Sequence, residues 1–491
     1  MYVRHCRFRN SKRREGKIFI LFIVMVPVLM GMTGLVIDGG LIMASYRQTQ
    51  NAADAAALAG ALAVRNGGSP SSAVTAYLSG NGMNLAQAAT VNNPPLSGNY
   101  ANPPSPLNKN NYVEVILTNK VNVFMITMIP GMGNVQNVTA RAVAGVELVS
   151  SSAQLITLDP KPPGGTGLSN VGTATLKVAG RIAIDAEGAG ANASGTGTVQ
   201  YGTYTQGPAS NVKGTANVES PDVTIVGGIN SGSQNNYTDL NGQNAGTTVH
   251  TGALPVQDPL LHLPTPTTAN GVTTTNDFRS SPVTISTGTV KGLPASWIDP
   301  TTGVVTLQPG IYESISINGG TVVFSPGIYV LSPQNKKDNP SLSISGNGTV
   351  TGSGVMFYNT GNDYSPNAGT PDSSDGSLSP NAPSSTFFGS ISIGGGGTVN
   401  LSAPTSGTFS GMLIYQRRWN TDQMSIGGTG SLTLGGTLYA KWAGLSLGGT
   451  GTYSSPSQLI VGNVSLVGNS TITVNTAGQN LGQANQIFLV E

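Results

Sequence analysis

Hydrophobic and polar positions follow three different rhythms along this chain. The first is a block. From Ile18 to Ile37, 20 residues run without a charge, with Pro27 inside. At the helical rise such a run spans about 30 Å, the thickness of a bilayer's hydrocarbon core, and a proline is tolerated in a membrane helix. The run predicts a transmembrane helix over 18–37. It is longer than the ~7–15 apolar residues of a signal peptide, and Val36-Ile37-Asp38 is a poor cleavage site, so an uncleaved anchor is expected. The second rhythm is alanine-rich, from Leu41 to Val64. Alanine is the best helix former, so the helix should continue. Ala52, Ala56 and Gly60 recur at four-residue spacing, as do Ala53, Ala57 and Ala61. Small residues so placed let another backbone come close, either in the same domain or in a neighbouring subunit. A helix near Pro70–Ser79 and the segments Tyr112–Asn119, Val121–Ile126 and Val138–Leu148 complete a small α+β region over 38–150.

The third rhythm begins near Ala153. Short apolar-polar alternations, period two, are separated by Gly, Asn and Pro, the pattern of many short strands with one apolar face. One phrase recurs: Ile344–Val350, Ile393–Val399, Ile426–Leu432, Leu447–Tyr453 and Leu466–Ile472, with starts 49, 33, 21 and 19 residues apart. A second phrase joins Leu307-Gln-Pro-Gly-Ile-Tyr312 to Phe324-Ser-Pro-Gly-Ile-Tyr329, 17 residues on. Repeats of this length with Gly-rich corners predict a parallel β-helix whose strands stack at ~4.8 Å. Asn and Gly would supply the left-handed backbone of the corners. A β-sandwich pair is the competing fold. Asp258–Pro266 breaks the pattern with three prolines and reads as a surface strap or a boundary between halves. Inserts are expected near 250–300 and 359–384, and Gln486–Glu491 as a closing strand.

The expected fold is therefore mainly β. It has a basic tail (1–17), a single transmembrane helix (18–37) continuing into an Ala-rich helix, a small α+β region (38–150), and a long right-handed parallel β-helix (151–491). Charge sharpens this. Only 9% of the 491 residues are charged. Arg4, Arg7, Arg9, Lys12, Arg13, Arg14 and Lys17 precede the apolar run, and 16 Lys+Arg against 20 Asp+Glu follow it. The basic character is a topogenic tail, which places the N-terminus in the cytoplasm and the bulk outside the inner membrane, periplasmic or extracellular. It is not a nucleic-acid surface. The single cysteine, Cys6, allows no disulfide within the chain.

A basic stretch, Gly16, the apolar span, Asp38-Gly39-Gly40 and the string Gln50-Asn-Ala-Ala-Asp54-Ala-Ala-Ala-Leu-Ala-Gly60 together resemble the N-terminal region of TadG-like proteins, Flp pilus-assembly proteins of the tight-adherence system. The resemblance covers about residues 12–65 and implies a membrane-anchored envelope protein of pilus assembly or adhesion, with pilus-assembly proteins or surface glycans as partners beside the bilayer. The fifth residue after Gly16 is Leu21 rather than the Glu of processed pilins, so polymerisation as a pilin is not expected. Some TadG-like proteins carry an Asp-x-Ser-x-Ser metal motif. Asp375-Gly-Ser-Leu-Ser379 matches it by letter, but lies in a Pro/Ser/Asp loop without the flanking strand.

Candidate chemistry is thin. An anchored carbohydrate-active enzyme, lyase or hydrolase, is the alternative function, and it needs clustered acids. Asp185 and Glu187 lie two apart, but solvated turn acids are the simpler reading. Lys336-Lys337-Asp338 reads as a turn. Arg417-Arg418-Trp419 reads as a surface loop that could bind glycan. Of three histidines, His5 is in the tail, and His250 and His262 have no Cys partners for zinc. Gly394–Gly397 and Gly427–Gly430 lack a Lys and read as corners, not phosphate loops. No catalytic, cofactor-binding or metal residues, no cofactor and no nucleic-acid partner are expected; the chain reads as structural rather than enzymatic.

Overall fold

The computed structural model describes the chain except residues 1–16, 82–88, 105–106, 126, 128–132, 150, 189–207, 231–233, 244–248, 336–339, 371–381 and 451. The described residues form two compact units. One comprises Met1–Leu148 with Asn485–Glu491, the other Val149–Ala484.

In the first unit, one uninterrupted helix, α1, runs from Lys17 to Arg65 with Pro27 inside it. It stops where Gly67 adopts φ +70 and the Gly68 amide returns to the Ala63 carbonyl at 2.8 Å, a left-handed glycine terminus. Helix α2 (Pro70–Gly80) follows, opened by Ser69 as N-cap and Pro70 in the first turn. A four-stranded sheet has the order β1 (Ala89–Asn92), β2 (Tyr112–Asn122), β3 (Val135–Val149), β4 (Ala484–Leu489), with β1–β2 and β2–β3 antiparallel. The two segments expected at 112–119 and 121–126 are instead the single strand β2 and its exit. Asn122 still pairs with Val135, Val123 donates to the Asn134 carbonyl, and the chain turns at Phe124 and Met125. The stretch Gln486–Glu491, expected to close the β-helix, instead belongs to the first unit, where β4 adds to the edge of β3.

The alanine rows of α1 are buried against this sheet and α2. Ala52, Ala53, Ala56, Ala57 and Ala61 pack with Val74, Leu78, Val113, Val115, Leu117, Ala140, Ala142 and Ala144. A Cβ at Gly60 would stand 2.9 Å from Val113 Cγ1 and 3.2 Å from Val74 Cγ2. The small residues thus admit the protein's own strand and helix, the first of the two expected uses.

The second unit is built from three parallel ladders of short strands. One triplet, Ile315–Asn318, Thr321–Phe324 and Gly327–Leu331, shows the scheme. Its members pair respectively with Leu342–Ser345, Thr349–Gly352 and Val355–Asn359, always parallel. The recurring phrase is the register itself. Ile344 faces Ile393, then Ile426, Leu447 and Leu466, while Val350 faces Val399, Leu432, Tyr453 and Ile472. The long 49-residue spacing holds the excursion between Asn359 and Ile391. Inward Val, Ile and Leu of successive strands form one continuous core.

The corner between the first and second ladders is made by stacked glycines. Gly346, Gly395, Gly428, Gly449 and Gly468 occupy the same place in each phrase, all at positive φ. A Cβ on Gly428 would lie 2.4 Å from the Gly395 carbonyl oxygen, and one on Gly449 2.2 Å from that of Gly428. Both the dihedral and the spacing exclude other residues. Asparagine does not share this task, contrary to expectation: among the described residues no non-glycine has positive φ. In the second phrase, each tyrosine turns back onto its own corner. The Tyr329 hydroxyl donates to the Ser325 and Leu307 carbonyls at 2.8 Å each, and Tyr312 donates to Gln308.

The chain does not stack its strands in sequence order. Ala153–Thr157 pairs with the strand at 459–461, and Leu168–Gly172 with 464–466. Strands from 153 to 251 then extend one end of the ladders, as Arg181–Ile184, Val223–Ile225 and Val249–Thr251 follow one another. After Thr251 the chain crosses to the other end, where Asp277–Phe278 pairs with Gly310–Tyr312 and Val283–Ser286 with Ile315–Asn318. The proline-rich 253–275 segment is that crossing.

Candidate functional site

Most side chains from Phe19 to Ile37 in α1 are exposed, Phe19, Ile20, Leu21, Phe22, Leu35, Val36 and Ile37 among them. Among the described residues, α1 is the one helix long and apolar enough to cross a membrane. Where the uncharged run ends, Asp38 is only 1% exposed. Its carboxylate accepts the Phe124 amide at 3.2 Å and the Met125 amide at 2.7 Å. Four residues earlier, Gly34 leaves room for Met125, whose Cβ would be 2.4 Å from any Cβ there. Further along α1, Asn119 donates to Ser45 Oγ at 3.1 Å, and the Gln50 amide bridges Asp54 at 2.7 Å and the Arg141 carbonyl at 3.0 Å. The acidic, amide and glycine positions of the N-terminal string thus each hold the β2–β3 hairpin to the helix. Phe124 and Met125 carried no signal in the sequence pattern as partners of Asp38.

The same sheet holds a buried carboxylate. Burial alone would raise the pKa of Glu114. Hydrogen bonds from Ser97, Asn92 and Arg141 and from the Leu96 amide outweigh it and hold the group at about 2. Arg141 also pairs with Glu491 at 2.6 Å and donates to the Ser97 carbonyl at 2.7 Å. Its own pKa, lowered by burial, is raised overall by these two carboxylates.

In the second unit, the pair Arg417-Arg418 does not form a surface loop. Both are buried, at 1% and 2% exposure. Arg417 is ion-paired to Asp363, with its guanidinium 4.9 Å from the Trp419 ring and 5.4 Å from that of Phe388. Arg418 reaches the crossing segment, donating to the Leu260 and Leu263 carbonyls at 2.7 and 3.1 Å and to Tyr439 Oη at 3.0 Å. Tyr439 donates to Asp258 at 2.7 Å, and Lys441 stands 3.6 Å from the same carboxylate. Burial lowers the Arg418 pKa, but Tyr415, Tyr439 and Asp258 outweigh it and raise it; burial pushes the Tyr439 hydroxyl far up. Leu260 and Leu263 are packed among Ile156, Ile311, Val330, Met356, Tyr358 and Tyr415. Asp258–Pro266 is therefore a strap, the first of its two expected forms. It covers the outer face of the third ladder, which explains why Val355–Asn359 and Met412–Gln416 are buried on both faces and read as unbroken apolar runs rather than alternations.

The remaining candidates disperse. Asp185 accepts the Val256 amide at 2.9 Å at the start of the strap. Its burial pushes it up to about 7 against the opposing pull of that amide and Arg181. The Glu187 amide bonds the Pro160 carbonyl at 2.9 Å. His250 lies 3.7 Å from Asp222, and His262 is exposed on the strap. Gly394–Gly397 and Gly427–Gly430 line the glycine corner, as expected. The side chains of Arg4 to Lys17, with His5 and Cys6, and the stretches Lys336-Lys337-Asp338 and Asp375–Ser379 lie outside the described residues. Among the described residues, no group of three or more His, Cys, Asp or Glu could hold a metal.

One regular surface feature emerges that the phrases contained unnoticed. The middle residues of the first ladder face one another in register: Thr284, Ser316, Ser343, Ser392, Ser425, Ser446, Ser465 and Ser169. All are at least partly exposed, so the ladder presents a column of hydroxyls at ~4.8 Å intervals.

A long helix, apolar and uncovered in its first half and built into a small α+β unit in its second, followed by a mainly β region, defines a class of chain with one candidate membrane span near its start. Residues 16–63 match the family model Tad, described as putative Flp pilus-assembly TadE/G-like. No curated protein and no solved structure matches the chain.

Proposed function

We propose that this chain is an envelope protein acting structurally in Flp pilus assembly or surface adhesion. It is anchored in the inner membrane by one pass of α1, with the N-terminus in the cytoplasm and both folded units outside. One observation carries the reading: the Tad-matching helix exposes its apolar half and buries its alanine half in its own domain. A soluble protein would bury the first half too. The basic residues before the span set the orientation. The second unit is a right-handed parallel β-helix. Support comes from the three in-register parallel ladders, because parallel crossovers are right-handed in nearly all cases. Its role is contact rather than catalysis. Arg417, Arg418, Asp258 and Lys441 are engaged in holding the strap and its neighbours, while the hydroxyl column offers many weak, equivalent contacts to a glycan or an assembly protein.

Protease treatment of spheroplasts carrying the C-terminally tagged protein tests the anchor. Full-length protein in the membrane fraction, digested from outside beyond about residue 65, is the expected result. A shortened soluble product would mean that the apolar run is a cleaved signal, and the tethered role would fall.

A further inference from the structure

The β2–β3 hairpin is fastened to α1 at an unusual height. Gly34, where Met125 packs, lies three residues before the end of the uncharged run, about 5 Å inside it along the helix axis. Any bilayer that accommodates Ile18–Ile37 therefore also reaches the hairpin turn. The turn is suited to that place. Phe124 is 72% exposed and next to Met125, and Val123, Phe124 and Met125 are all apolar. A backbone entering the boundary between headgroups and acyl chains must leave no amide unpaired. Here the two turning amides, of Phe124 and Met125, are both taken by the buried Asp38 carboxylate. Leu35, Val36 and Ile37 of α1 are exposed at the same level, so the helix is apolar around the height at which the turn is held.

We infer that the Phe124–Met125 turn is a second membrane contact, dipping into the outer-leaflet interface of the lipid bilayer beside the anchor. Its depth is of the ~5–10 Å typical of interfacial segments. Asp38 acts as the positioning residue that lets the backbone make this approach. The inference rests on the anchor reading above. It adds that the first unit sits on the lipid surface, held at two points.

The test uses the full chain with Cys6→Ser and single cysteines at Phe124, at Met30 within the span and at Asn137 on exposed β3. Each variant is labelled with an environment-sensitive fluorophore and reconstituted in phosphatidylcholine vesicles. Nitroxide-bearing lipids should quench positions 124 and 30 and spare 137, while aqueous iodide should do the reverse. Iodide quenching at 124 equal to that at 137, with position 30 still quenched by lipid, would overturn the inference and leave the anchor standing. Shielding of 124 from both quenchers would mean a protein neighbour covers the turn, which also overturns it. Loss of lipid quenching at 30 would bring down the anchor reading and this inference with it.

Discussion

Replacing Arg418 by leucine should release the strap while leaving the ladders beneath it intact. The guanidinium makes three hydrogen bonds, to the Leu260 carbonyl, the Leu263 carbonyl and Tyr439 Oη, and lies 5.6 Å from the Tyr415 and Tyr439 ring centroids. Leucine fills part of the volume and answers none of these acceptors. Each buried group left unpaired costs about 1–3 kcal/mol, and removing one partner from a buried charge network about 3–5 kcal/mol in total. What still holds the strap is mainly the burial of Leu260 and Leu263, about 3–6 kcal/mol together. The two contributions are of similar size, so the strap should open before the ladders do. Hydrogen exchange of the full-length protein in detergent reads this at the Leu260, Leu261 and Leu263 amides, which are bonded within the strap. Three to five kcal/mol corresponds to exchange about a hundredfold to several thousandfold faster there, with little change at Ile344, Ile393 or Ile426. Arg418→Lys, which keeps the charge but loses the fork, should fall between. If strap exchange in a folded Arg418→Leu protein stays within about threefold of the parent, the guanidinium is not what holds the strap and the reasoning fails.

Four further outcomes follow from the same geometry. Asp185 has a folded pKa of about 7, above its ordinary 3.8, so the stability it contributes is complete below pH 3.8 and is lost as pH rises towards 7; Asp185→Asn should remove that decline in denaturant titrations and equal or exceed the parent above pH 7, by at most about 4 kcal/mol. Glu114, held at about 2 against an ordinary 4.5, works the other way: its contribution is present above 4.5 and lost as pH falls through 2, so Glu114→Gln should lower neutral-pH stability by about 3 kcal/mol and erase that acid limb. Gly428→Ala meets both a φ of +143 and the Gly395 carbonyl, and a loss of about 2–4 kcal/mol by chemical denaturation is expected, against about 1–2 kcal/mol for Gly303→Ala, where φ is +70 but the added carbon meets nothing. Asp38→Ala strips the two turn amides of their acceptor, and exchange at Met125 should quicken about tenfold to a hundredfold.

Local rules carried the sequence reading as far as contacts between like phrases. Ile344, Ile393, Ile426, Leu447 and Leu466 could be aligned by eye because each rung must place an apolar residue inward and a glycine at the corner two positions on, and those demands repeat. The alanine rows of α1 were equally legible, since close packing leaves a visible four-residue mark. What escaped was non-local. Ala153–Thr157 pairs with a strand some 300 residues later, and no property of either segment names the other. Arg417 and Arg418 look like surface charges because their partners are remote: Asp363 for the first, the carbonyls of Leu260 and Leu263 for the second. A charged pair reads as buried only once the groups that neutralise it are known.

The spliced order of the ladders also bears on biogenesis. The strands that emerge first, from 153 to 251, rest on rungs completed only by residues 457–474, and the sheet of the first unit waits for β4 after them. On the export proposed above, neither unit can seal until nearly all of the chain has crossed the membrane. Contacts of such long sequence separation form slowly. For a chain exported as proposed, that architecture would postpone folding past translocation, keep the chain threadable in transit, and leave a truncated product unable to close its ladders.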